Sequence, residues 1–155
     1  MTIHQNKTLV IKNASHQVTI DIAKELDMSH ADIKEVNTVL ALIPGKRYYL
    51  TSLVKDAKTN MNLLALAAKT IRSQVFLNEK MRAADLHVKL SDKKCEHVVQ
   101  IDEGVQGAEK QFIEAQEVYD NLRNLVAAMD VKKDDIIEIG RNLRQELFLR
   151  SDMQK

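Results

Sequence analysis

Four glycines and one proline are all that a chain of 155 residues has for breaking regular structure, where average usage would supply roughly 19. Pro44 and Gly45 stand together, Gly104 and Gly107 lie close to each other, and Gly140 stands alone. The 58 residues from Lys46 to Glu103 therefore contain neither type. Sandwiches, barrels and doubly wound sheets need glycine or proline corners about every ten residues. A sequence this poor in them folds as helix. The expected fold class is all-α: an elongated antiparallel helical bundle or coiled-coil hairpin, preceded by an N-terminal αα-corner and a short extended N-terminal arm. Residues 1–45 form the arm and corner and residues 46–155 the long-helix bundle, the two folding as one cooperative unit.

A hydrophobic content of 45% beside 29% charge is that of a globular chain long enough to bury a core without disulfides or metal. Aromatic residues make up 4% and tryptophan is absent, so the core is aliphatic and there are few platforms for stacking bases or sugars. The net charge of +1 conceals a division: residues 1–50, 51–100 and 101–155 carry +1, +4 and −4. A basic middle followed by an acidic end suits two antiparallel helices that attract each other. It does not give the concentrated basic stripe of a phosphate-gripping domain.

Cys95 is the single cysteine, which excludes an intrachain disulfide and fits a reducing compartment. The first seven residues lack the basic and apolar regions of a signal peptide, so the expected location is the cytoplasm. Export independent of a signal peptide would leave no such mark. The longest uncharged runs, Val36–Gly45 and Thr59–Ala68, are ten residues each, against the roughly 20 that a helix needs to span a bilayer.

Along the chain, Thr8–Ile11 is β-branched and apolar, as an edge strand or arm would be. Helical spacing follows in two segments, Ile22, Ala23, Leu26 and then Ile33, Val36, Val39 or Leu40, Ile43. Ser29 is the expected cap of the second, which ends at Ile43 because proline disfavours helical backbone in the residue before it. From about Leu50 to Leu90 a long helix carries the stripe Leu53, Ala57, Met61, Leu64, Ala68, Ile71, Val75. Leu63, Leu66 and Ala67 make its middle apolar round most of the circumference, so that segment is expected to be buried on more than one side. Its break is placed near Asn78 or at Ser91-Asp92. The clearest periodicity comes next: Val98, Ile101, Val105, Ala108, Phe112, Ala115, Tyr119, Leu122, Val126 and Met129 alternate spacings of three and four, a heptad seam. Its secure helix is expected from Ala108, after a loop holding Gly104 and Gly107. Asp130 is the expected cap of a last helix through Ile136, Ile139 or Gly140, Leu143 and Leu147.

The segment Val18–Val36 resembles the helix-turn-helix pattern of bacterial DNA-binding regulators, with Ile22, Ala23, Leu26, Met28, Ile33 and Val36 at its apolar positions and Gly45-Lys46-Arg47-Tyr48-Tyr49 as a basic wing. The resemblance implies nucleic-acid contact through His30, Lys34, Lys46 and Arg47. Asp27 stands where that motif usually has glycine, and Asp32 and Glu35 would face phosphate. Tyr48 and Tyr49 read otherwise as half-buried side chains with solvated hydroxyls.

Cys95-Glu96-His97 is too tightly spaced for a zinc pair and has no second cysteine. The carboxylates Glu109, Glu114, Glu117 and Asp120 lie off the seam, as on a solvated face. No phosphate loop, dinucleotide fingerprint, serine elbow or metalloprotease motif is present. The expectation is a non-enzymatic interaction or assembly protein without cofactor or metal. It recognises protein partners, a second copy among them, through apolar helix faces, with Val105, Phe112, Tyr119, Leu122 and Val126 as the principal packing surface. A DNA-binding regulator with a coiled-coil dimerisation region is the alternative, and no contact with membrane is expected.

Overall fold

The computed structural model describes residues 8–12, 17–27 and 32–152. Thr8–Lys12 (β1) pairs antiparallel with Gln17–Asp21 (β2), Thr8 opposite Asp21 and Lys12 opposite Gln17. Beyond this small hairpin the protein is helical: Ile22–Glu25 (α1), Ile33–Asp85 (α2), Asp92–Ile101 (α3) and Glu103–Asp152 (α4). The all-α class read from the sequence is the one observed.

The boundaries differ from expectation where packing or capping overrides local preference. The first helix of the αα-corner is not formed as read. Val18–Asp21 belongs to β2, with Ile20 buried, and α1 is a single turn capped by Asp21, whose carboxylate accepts from the Lys24 N–H at 3.2 Å. Ser29 and His30 lie outside the described residues. The cap of α2 is Asp32 itself, accepting from the N–H groups of Lys34 and Glu35 at 2.7 and 2.8 Å. Pro44 does not end that helix but sits inside it. Ile43 and Leu50 are both buried, and each buried aliphatic chain is worth about 1.5–3 kcal/mol, comparable with the ~3 kcal/mol that an interior proline costs. Gly104 and Gly107 lie in the first turns of α4 rather than in a loop, and Asp130 lies within α4 rather than at a cap.

The break between α2 and α3 falls at Leu86–Leu90. The Val88 N–H donates to the Ala83 carbonyl at 2.9 Å and that of His87 to Ala84 at 3.0 Å, the two bonds of a Schellman close. His87 takes the left-handed backbone, φ 55°, that glycine usually supplies there. Ser91, half of the expected turn, caps α3 by accepting from the Lys94 N–H at 3.4 Å. Asp102 then serves two helices: its N–H donates to the Val99 carbonyl, ending α3, and its side chain accepts from the Val105 N–H at 2.9 Å, opening α4. A Cβ on Gly104 would meet that carboxylate at 3.0 Å, so the glycine makes room for the cap.

The chain divides into two compact units, one of residues 1–54 with 120–155, the other of residues 55–119. In the first, α2 and α4 run antiparallel, with Val36 beside Gly140 and Arg47 bonded to Asp130. Its core is large and aliphatic: Val36, Ile43, Leu50 and Leu53 from α2, Leu122, Leu125, Met129 and Ile136 from α4, and Ile20 from β2. Glu25 fastens α1 to both long helices, its carboxylate pairing with Lys46 and its carbonyl accepting from Lys132, each at 2.8 Å.

In the second unit α3 packs with the remainder of α2 and the start of α4. Arg72 pairs with Glu109 at 3.2 Å, and the Lys80 ammonium pairs with Asp92, bonds the Leu90 carbonyl at 3.2 Å and lies 5.8 Å from the Phe76 ring centre. The fully buried residues here are Ala57, Ala68, Ala83, Cys95, Val99, Val105 and Ala115. None is larger than valine.

Candidate functional site

A unit whose buried positions hold alanine, valine and cysteine has its larger apolar side chains elsewhere. On α2 they form two opposite faces. Leu64, Ile71 and Val75, beside the buried Ala57 and Ala68, are half-buried on the inner face. At about 100° per residue, Leu63, Leu66, Leu77 and Met81 lie on the far side of the same helix, and all four are exposed, Leu66 to 63%. The sequence marks Leu63 and Leu66 as apolar, but their burial is not observed. The core of the unit lies on the other face, and one chain covers a helix on that side alone.

The exposed face carries no charge from Thr59 to Leu77. Thr59, Asn62, Thr70, Ser73 and Gln74 separate the leucines, all of them exposed, in a chain that is 29% charged. The hydroxyls of Thr59 and Thr70 donate to the carbonyls four residues earlier, at 3.1 and 3.0 Å, so their hydrogen-bonding demand is met within the helix. Along one edge the face opens onto two shallow grooves. One is lined by Ser73, Phe76, Leu77, Glu96 and Val99, the other by Ala65, Lys69, Glu109, Phe112 and Ile113. Small residues at 65 and 68 of α2 leave the ring of Phe112 open to the second.

That same edge holds Lys55, Lys58 and Lys69. Among the described residues no carboxylate pairs with any of the three, and their neighbours three and four positions away include no Asp or Glu. Lys55 and Lys58 stand three apart, as do Lys69 and Arg72. Such like-charge pairs disfavour a helix slightly.

From Val105 onward the heptad seam faces inward, whereas Ile101, at the end of α3, is exposed. Val105 and Leu122 are buried, and Phe112, Tyr119 and Val126 are half-buried, each within its own unit. Of the residues assigned to nucleic acid, Lys46 and Arg47 are taken up by ion pairs. Arg47 meets Asp130 through two hydrogen bonds, at 2.6 and 3.1 Å, which raise its own pKa and hold the Asp130 carboxyl below the usual range. Lys34 is exposed at the start of α2. Tyr48 is not half-buried as expected but 81% exposed. Cys95 is buried and unpaired, and among the described residues no three metal-binding side chains converge. Nor is any helix among them long and apolar enough to cross a membrane. Compared with family models, curated proteins and solved structures, the chain has no significant match in any of the three.

Proposed function

We propose that the protein is a non-enzymatic interaction module that docks a protein partner on the outer face of α2, at Leu63, Leu66, Leu77 and Met81. The observation that carries this reading is the inversion within residues 55–119, where every fully buried side chain is valine-sized or smaller while three leucines and a methionine on one helix face solvent. Burying a leucine is worth about 1.5–3 kcal/mol, so placing four such side chains outside forgoes stabilisation that a partner can restore. The intervening Asn, Gln, Ser and Thr match the low charge of interface centres. Docking rather than DNA contact is also favoured by the pairing of Lys46 and Arg47 with carboxylates.

A photo-crosslinking amino acid tests this reading when placed at Leu66, with Ile137 in the other unit as the control position. A protein captured from the position-66 variant, absent from the control and lost when Leu77→Glu is added, is the expected result. Equal capture at both positions would remove the assignment.

A further inference from the structure

The charge along the edge of this face says what kind of partner covers it. Resting on the docking reading above, we infer that the occupant is an amphipathic helix of another protein, with aliphatic anchors at helical spacing and carboxylates along the edge that meets Lys55, Lys58 and Lys69. From Lys55 to Met81 the face and its lysine edge run about 39 Å at 1.5 Å per residue, roughly seven helical turns. It is a helix surface whose backbone groups are already bonded, so an added strand would find no edge to extend, whereas a helix laid along it matches the leucine spacing.

A second copy of this chain fits less well. An antiparallel two-fold pairing of this face lays the lysine edge along the same edge of the other copy. A parallel one lays it along Asn60, Ala67 and Gln74. In the first, Lys55, Lys58, Lys69 and Arg72 meet only Glu96 and Glu109, the latter already paired with Arg72, and in the second the only carboxylate on the facing edge is Asp56. Neither gives each of the three lysines a counter-charge, and an isologous contact has no other arrangement. A lipid surface fits less well again, because the side-chain amides of Asn62 and Gln74 between the leucines would enter hydrocarbon without partners. A protein helix supplies both the carboxylates that these lysines lack within their own chain and polar groups for the amides.

Two synthetic helical peptides with one aliphatic seam test the inference against the full-length protein, one with Glu and the other with Lys along the edge. Fluorescence anisotropy is read at about 50 mM and 300 mM salt, a range over which screening separates charged from apolar terms. The acidic peptide is expected to bind about tenfold tighter at the lower salt, three exposed charge pairs being worth roughly that factor. The triple variant K55E/K58E/K69E is expected to reverse the preference, with its helical circular dichroism and melting midpoint retained, and L66E/L77E to lose both peptides. Equal binding of the two peptides, still lost in L66E/L77E, would overturn the acidic assignment and leave the docking surface standing. Binding of neither would overturn the helical occupant, while crosslinking from position 66 reports on docking independently. Tighter, lysine-dependent binding to a DNA duplex or to phosphatidylglycerol vesicles would overturn it in favour of those ligands, and a dimer mass by light scattering without peptide would do so in favour of a second copy.

Discussion

Gly140 of α4 lies so close to Val36 of α2 that a Cβ at position 140 would stand 3.0 Å from Cγ1 of the valine. Val36 is fully buried, and a β-branched side chain in a helix has one strongly preferred rotamer, so it cannot give way. Gly140→Ala should gain about 1 kcal/mol of helix propensity and lose more to the contact, since overpacking costs roughly 1–3 kcal/mol. The expected net effect is a lower urea midpoint. Adding Val36→Ala should make the alanine at 140 favourable, and a double-mutant cycle showing no coupling between the sites would refute the contact.

At the end of α2 the sign reverses. His87 occupies left-handed backbone in the Schellman close, a conformation costing an L-residue roughly 1–2 kcal/mol. His87→Gly should raise stability by about 0.5–1 kcal/mol, the relief being partly offset by the freer unfolded chain. His87→Val should lower it. Thermal melts of both variants against the parent provide the check.

Asp102 closes one helix and opens the next, so its loss should be felt on both sides. Asp102→Ala should cost about 1 kcal/mol, the usual value of an N-cap, and raise amide exchange at Val105 and Gln106. Asp102→Asn, which keeps the acceptor, should retain most of the stability. Unchanged exchange at Val105 in the alanine variant would show the cap to be idle.

Lys132 is the one charged side chain buried among the described residues. Burial pushes its pKa below the ordinary lysine value, with Lys46 adding repulsion and Glu25 opposing it. The unfolded chain therefore holds this proton more tightly than the folded one. Its contribution to stability is complete above the ordinary value near 10.5 and is lost as pH falls through the depressed value. Between those two points the native protein should gain stability as pH rises, and Lys132→Met should flatten that gain in denaturation measured across the alkaline range. A rise as steep in the variant would assign the effect to other groups.

Asp130 gives the acid counterpart. Its carboxyl titrates below 3.8 beside Arg47, so the stability it contributes is present above 3.8 and lost as pH falls through the lower folded value. In Arg47→Ala the Asp130 carboxyl should titrate nearer its ordinary value, as read by NMR.

What was legible in the sequence follows from which features act locally. The dearth of glycine and proline leaves room for no sheet larger than the β1–β2 hairpin, whatever the packing. Ser91 is legible as a boundary, though not as the cap it proves to be, because a hydroxyl beside a free N–H needs no third party, and the inner stripe of α2 is legible because its spacing matches the helix. Pro44 misleads for the opposite reason: its local preference is real, but Ile43 and Leu50, buried on either side, hold the helix through it. Gly104 reads as loop, yet its lack of a side chain serves a cap two residues earlier. Asp130 looks like a cap only while Arg47, distant in sequence, is out of view. Leu63 and Leu66 mislead most instructively. Apolar character is the same whether a residue meets its own core or another molecule, so their side chains can be read from sequence while their exposure cannot.

The two units also differ in when they can exist. Residues 55–119 form one uninterrupted stretch, whereas the other unit joins two segments that lie on either side of it. Arg72 and Glu109 are 37 residues apart, against 83 for Arg47 and Asp130 and 107 for Glu25 and Lys132, and distant contacts are slower to form. During synthesis the unit that carries the uncovered leucines is complete before Leu122 is added. Val36, Ile43 and Leu50 must wait for the last third of the chain. The exposed leucine face is thus complete on a nascent protein whose larger core still lacks its second half.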